Sequence, residues 1–176
     1  GRRQRQMCIR DRFLVFDASN HTAIEFASGK MATILADTAA INNPGKLDFY
    51  MLGSHINRGI KTTNFIPVEH IGQSRYFETH FHSNKNYVVF AGKRFVVINR
   101  DFEIADTQQE LAVDFAIVSG NPKLSVEDIL KDINPRQIVF DSSNKRWQVE
   151  RWLKECEKLE TPCYSVQHEG AFVKEF

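Results

Sequence analysis

Residues 113–147 read VDFAIVSGNPKLSVEDILKDINPRQIVFDSSNKRW, and their rhythm decides the fold. Val113–Ser119 is an almost unbroken apolar run, the pattern of a strand covered on both faces. Ser125, with Asp128 three residues on, makes a capping-box-like start for a short helix. Gln137–Asp141 (QIVFD) is a second buried strand. From Lys145 to Leu159 the chain is amphipathic, with Val149, Trp152, Leu153, Cys156 and Leu159 on one helical stripe. PCYSV (162–166) and AFVKEF (171–176) read as strands joined through His168-Glu169-Gly170. Strand–helix–strand–helix–strand predicts parallel strands with right-handed crossovers.

Upstream the rhythm differs. FLVFD (13–17), TAIEFA (22–27) and MATILAD (31–37) are short β-type runs. Turn-forming residues at Ala18–His21 and Ser28-Gly29-Lys30 separate them, which predicts an antiparallel meander. Pro44-Gly45 breaks the chain. Leu47, Tyr50, Met51 and Ile56 then follow at helical spacing, weakened by Gly53, with Gly59 as C-cap. Lys61–Ser74 has no clear period. Tyr76–Phe81, Tyr87–Ala91 and Arg94–Ile98 read as strands, with a hairpin turn at Gly92-Lys93. The fold class is therefore α/β (mixed α+β): an N-terminal β-meander, then βαβαβ, in a mixed sheet covered by helices.

The opening GRRQRQMCIRDR holds five Arg and nothing a core could use. Arg2–Arg12 follows, in order, the in-frame translation of a transposase adapter used in DNA library preparation. Residues 1–12 are therefore expected to be an artefactual leader, outside a single domain at 13–176. The whole chain has 23 basic and 22 acidic residues. Setting aside the leader's five Arg and one Asp leaves 18 against 21, a net charge near −3. No global electrostatic case for nucleic acid survives that. The remaining chain is long enough for one domain with one good core, and fourteen Phe suit a packed globule. No apolar run approaches the roughly 20 residues that span a bilayer. Cys8 falls in the leader. Cys156 and Cys163 make neither a disulfide framework nor a zinc cluster. Two buried free thiols are the expectation, and pairing in an oxidising compartment is the alternative.

Two stretches carry a family resemblance. FLVFDASNHTAIEF, SGK and MATILAD follow the order strand, turn, strand, GK turn, strand ending in Asp. VDFAIVSGNPK, SVEDILKDI, NPRQIVFDSSN, KRWQVERWLKECEKL, PCYSV and HEGAFV supply a closing half. Together they resemble the C-terminal metallo-β-lactamase-like domain of ComEC-family competence proteins, over Phe13 to the end with a shortened middle. GNPK, FDSSNKRW and EGAFV point to a divergent branch. The resemblance implies a fragment of a longer inner-membrane DNA-uptake protein. Its partner would be the transmembrane channel domain of the same full-length chain, with single-stranded DNA a further candidate. By the same analogy the domain lies on the periplasmic, extracytoplasmic side.

Active members of the superfamily use two metal ions, here Zn or Mn as candidates, to generate hydroxide for phosphodiester hydrolysis. Their signature is His-x-His-x-Asp-His. The nearest match is His80-Phe81-His82-Ser83-Asn84-Lys85, with Asn in place of Asp and a Lys amine that would repel a cation. Residues i and i+2 of a strand share a face, so His80 and His82 also read as two surface His. His55, after LDFYML, is a lone His and reads as structural or exposed. Gly120-Asn121-Pro122-Lys123 stands where the family has His-His-Gly-Ser, and Arg146-Trp147 where it has a late metal-binding His. The resemblance thus implies a degenerate site with no catalytic residue and no metal.

Asp37, Asn121, Lys123, Asp141, Ser142, Ser143 and Asn144 are expected on one rim, because open α/β sheets gather ligands at the carboxyl ends of parallel strands. They form either a small polar binding site or ordinary loop caps, with Ser143 or Asn144 capping the following helix. Trp147 is a helix-packing residue or a base-stacking one. The function expected is a non-catalytic accessory domain in DNA uptake. The alternatives are a metal-dependent nuclease for the non-transported strand and a docking domain for the channel, and fold alone does not choose among them.

Overall fold

The computed structural model describes residues 10–103 and 109–176. Cys8 and most of the expected leader lie outside them. The first sheet holds β1 (Arg12–Val15), β2 (Ala23–Ser28), β3 (Met31–Ala36), β4 (Thr62–Pro67) and β12 (Phe172–Glu175), in the order β12-β1-β2-β3-β4. The meander β1-β2-β3 is antiparallel as expected, and β4 adds parallel to β3. The second sheet holds β5 (Arg75–Phe77), β6 (Phe81–Asn84), β7 (Tyr87–Phe90), β8 (Lys93–Ile98), β9 (Leu111–Val118), β10 (Ile133–Phe140) and β11 (Cys163–Ser165) in reverse chain order. Strands β8 to β11 are parallel neighbours, and β5 to β8 are antiparallel.

The strands thus divide between two sheets, and side-chain alternation explains why. Phe13, Val15, Ile24, Phe26 and Leu35 share one core with Phe95, Val97, Phe115, Ile117 and Val139 of the other sheet. Seven of the fourteen Phe meet in this core. Phe13 lies at its centre, with ring centroids 4.7 Å from Phe95, 5.2 Å from Phe115 and 5.4 Å from Phe26. The alternate residues face helices. Leu14, Phe16, Ile34 and Ala36 pack on α1 (Thr38–Ile41) and α2 (Pro44–Arg58). Val96, Ile98, Ile138 and Phe140 pack on α3 (Val126–Asp132) and α4 (Arg146–Lys158). The result is four layers, helix–sheet–sheet–helix, with a short α5 (Val166–Glu169) before the last strand.

Local signals held where one residue type meets one backbone demand. Ser125 and Asp128 form the reciprocal capping box. Gly59 ends α2 in a left-handed conformation at φ 71°. Other boundaries moved. Pro44 opens α2 instead of interrupting the chain, since its missing N–H is harmless in a first turn. Lys61–Ser74 holds β4 and a 3-10 helix at Val68–Gln73. Tyr76–Phe81 is no single strand: it turns at Glu78–His80 to make the β5–β6 hairpin. The next hairpin turns on Ala91-Gly92, both at positive φ, rather than on Gly92-Lys93. β1 begins at Arg12, the last residue of the expected leader, which pairs with Ala27 and Glu175.

Cys156 and Cys163 form a disulfide, which replaces the expected free thiols. A tight turn after α4 brings β11 back beside it with the two Cα atoms 6.3 Å apart, within disulfide reach. Closing so short a loop is expected to contribute about 2–3 kcal/mol. Urea unfolding with and without reductant measures it; coincident curves would remove the staple from the stability account.

Candidate functional site

The carboxyl ends of β3, β4, β8, β9 and β10 meet at one edge of the two sheets. They surround a cavity of about 320 Å³ lined by Asn20, Thr22, Asp37, Val68, Glu69, Asn99, Arg100, Asp101, Ser119, Gly120 and Ser143. Beside it a second cleft of about 470 Å³ is lined by Asp17, Ser19, Asn20, Tyr50, Ser142, Asn144, Lys145, Arg146 and Gln167. Asn20 borders both.

The residues of this rim are bonded mainly to one another. Asp141, fully buried after β10, accepts from Thr22 Oγ1 at 2.8 Å, from Ser143 N at 3.0 Å and from Asn144 Nδ2 at 3.2 Å. Ser143 Oγ donates to it as well and accepts from Gly120 N at 2.7 Å. Burial pushes the Asp141 carboxyl up to about 7, against the pull of the Ser143 and Thr22 donors and with the Asp37 charge adding to the rise. Asp37 accepts from Thr22 N at 2.8 Å and from Ala40 N at 3.2 Å, and lies 2.8 Å from His21 Nδ1. Ser142 Oγ accepts from Ala18 N at 2.9 Å and donates to the His21 carbonyl at 3.0 Å. These bonds stitch the β1–β2 turn of one sheet to the β10 end of the other. Asn121 and Asn144 exchange roles around the start of α4: Asn121 N donates to Asn144 Oδ1 at 2.8 Å, and Lys145 N donates to Asn121 Oδ1 at 3.1 Å.

Six of the expected rim residues are therefore together: Asp37, Asn121, Asp141, Ser142, Ser143 and Asn144. Lys123 is exposed and lines neither cavity. Trp147 projects from the first turn of α4, 60% exposed, so it is not a packing residue. Neither Ser143 nor Asn144 caps α4. The N-cap is Lys145, without a side-chain cap, because both hydrogen-bonding side chains are committed to the rim.

His80 and His82 lie elsewhere. His80 borders a crevice with Ser28 and Met31, at the opposite end of β3 from Asp37. His82 is exposed on β6 with its ring 5.2 Å from Phe77. Only His82 is in a strand, so the two do not share a strand face. His55 is structural: it sits on α2 with Nε2 2.5 Å from Glu25 Oε1. LDFYML lies within that helix, as its spacing predicts. Among the described residues no three His, Cys, Asp or Glu side chains are grouped to hold a metal ion.

Thr22, Glu69, Asn99, Arg100, Asp101 and Ser119 belong to the site without being expected there. Asn99-Arg100-Asp101 was findable, since it follows the β8 strand as Asp141–Asn144 follows β10. Glu69 was not, because β4 and the 3-10 helix after it have no period to read.

Two mixed β-sheets face to face, helices outside and a polar rim at the strand ends make a mixed α+β domain, an arrangement consistent with the metallo-β-lactamase-like fold. The family model for the ComEC C-terminal domain matches residues 13–176, and the chain belongs to that family. This ties it to competence DNA uptake and to the inner membrane. Comparison with curated proteins and with solved structures finds no match.

Proposed function

We propose that this domain is a non-catalytic accessory part of the DNA-uptake machinery that holds single-stranded DNA in the cleft beside Lys145 and Arg146. The observation that carries the reading is the commitment of the rim carboxylates. Asp37 and Asp141 are filled by protein donors, and Glu69 accepts from Thr38 N at 2.9 Å. Among the described residues His21 is the one His at this rim, with Nδ1 held 2.8 Å from Asp37, and no three His, Cys, Asp or Glu side chains are grouped to hold a metal ion. Carboxylates so engaged do not fit a zinc or manganese pair. The cleft, in contrast, offers groups that can track a phosphodiester backbone: exposed Lys145 and Arg146, the latter 3.2 Å from Glu150, outnumber Asp17, the one carboxylate of the lining, with Ser19, Asn20 and Gln167 amid them. Trp147, next in sequence and exposed, would supply a ring for a base to stack on. The Cys156–Cys163 disulfide suits the extracytoplasmic side, where such bonds persist.

Fluorescence anisotropy with a labelled single-stranded oligonucleotide tests this. Charge reversal at Lys145 and Arg146 together is expected to weaken binding roughly tenfold at low salt and to flatten its salt dependence. The unchanged leader arginines are common to both proteins. Strand cleavage in zinc or manganese that Asp37→Asn or Asp141→Asn abolishes would establish the nuclease instead.

A further inference from the structure

Helix α2 carries apolar residues on two opposite faces. Leu47 and Met51 are buried against the first sheet. Phe49, Leu52 and Ile56, at i, i+3 and i+7, form a stripe on the outside and are 83%, 55% and 69% exposed. Phe65 adds to the exposed apolar surface of this layer: it pairs with Ile34 in register, so it stands on the helix-bearing face of the same sheet. A lone exposed Leu needs no explanation, but an aligned stripe on one helix does.

We infer that the outer face of α2 docks on an anionic bilayer surface. This rests on the inner-membrane placement that family membership brings. Size argues for lipid over protein, since four side chains, Phe65 included, make a small patch beside the roughly 1,000 Å² that a specific protein interface needs. Shallow insertion of a short apolar stripe between headgroups is the interfacial mode of amphipathic helices. Charge argues the same way. Lys46 stands at the start of α2, and Lys61 just past its end donates its N–H to the Lys30 carbonyl at 2.8 Å. All three lysines are exposed, against the exposed Asp48 on the helix itself. Cations bordering an apolar stripe are what phosphate headgroups attract. Docking would also orient the rim. Tyr50, whose ring lies 5.3 Å from that of Phe49, lines the cleft that holds Lys145 and Arg146. The cleft would then open beside the membrane.

The test floats the 176-residue chain with vesicles of phosphatidylglycerol and phosphatidylethanolamine, and with phosphatidylcholine vesicles for comparison. The wild-type chain is expected to partition to the anionic vesicles about tenfold more strongly than the joint variant Phe49→Ser, Leu52→Ser, Ile56→Ser. Both retain the leader arginines, so their contribution cancels. Phe49→Trp provides a second readout that needs no destabilising change: its added fluorescence should shift to the blue on anionic vesicles. Equal partitioning of wild type and triple variant, or an unshifted Phe49→Trp emission, would overturn the inference. So would a dimer in ultracentrifugation that the triple variant dissociates, which assigns the stripe to a second copy. Oligonucleotide binding by the triple variant is expected to match wild type, so failure here and failure of the DNA reading remain distinct.

Discussion

Glu25→Ala is expected to lower the unfolding free energy by about 3–5 kcal/mol, the cost of removing one partner from a buried ion pair. Glu25 projects from β2 toward α2 and is fully buried. Its Oε2 accepts from Arg12 Nη2 at 2.8 Å, and its Oε1 lies 2.5 Å from His55 Nε2. The same guanidinium nitrogen donates to Ser54 Oγ at 2.7 Å. One carboxylate therefore clamps α2 to the edge of the meander. Alanine would leave Arg12 and His55 facing each other with no counter-charge. Burial by itself raises the Glu25 pKa, but the His55 hydrogen bond and the Arg12 charge outweigh it, and the net value falls below the ordinary 4.5. A depressed carboxylate pKa contributes stability that is present above the unfolded value and lost as pH falls through the folded one. Denaturant melts of wild type and variant at neutral pH, and then in acid below pH 4.5, measure both effects. A variant within about 1 kcal/mol of wild type would dismiss the clamp.

Asp141 works in the opposite direction. Its folded pKa of about 7 lies above the ordinary 3.8, so the folded state holds the proton more tightly than the unfolded chain. Its stabilising protonation is complete below 3.8 and is lost as pH rises through 7. The domain is expected to lose on the order of 4 kcal/mol from this group between those limits. Asp141→Asn should flatten that part of the profile, since an amide does not titrate. Urea melts across the range separate it from Glu25, whose contribution changes only at the acid end. Identical slopes for wild type and Asp141→Asn would show that the Thr22, Ser143 and Asn144 donors keep the carboxylate ionised throughout. A domain that is more stable near pH 5 than near pH 8 would thus carry the mark of its rim.

Much of the fold was legible where a segment satisfies one local demand. The period-two runs of the meander and the capping box at Ser125 each follow from near neighbours. So does the stripe of α4, which buries Val149, Trp152 and Cys156. Illegible segments were those whose conformation answers a distant partner. β4 has weak alternation and is held as a strand by its parallel pairing with β3. The turn at Glu78–His80 hides in what reads as a single run, because both flanking strands are apolar on one side. The disulfide depends on where β11 returns, which spacing alone does not state.

The candidate site divides the same way. Sequence placed Asp37, Asn121 and Asp141–Asn144 on one rim, since strand ends in a parallel sheet point to a common edge. It also supplied the family, through the order of strands, turns and helices from Phe13 onward. Tertiary structure alone decided that the rim unites two sheets and that Thr22 bridges Asp37 and Asp141. It alone decided that His80 sits at the far end of β3. It alone decided that Ile56, read at helical spacing with Leu47 and Met51, is exposed beside Phe49 and Leu52 while Leu47 and Met51 face the sheet. The reason is common to all three. Periodicity encodes which residues share a face, but only packing determines what that face meets.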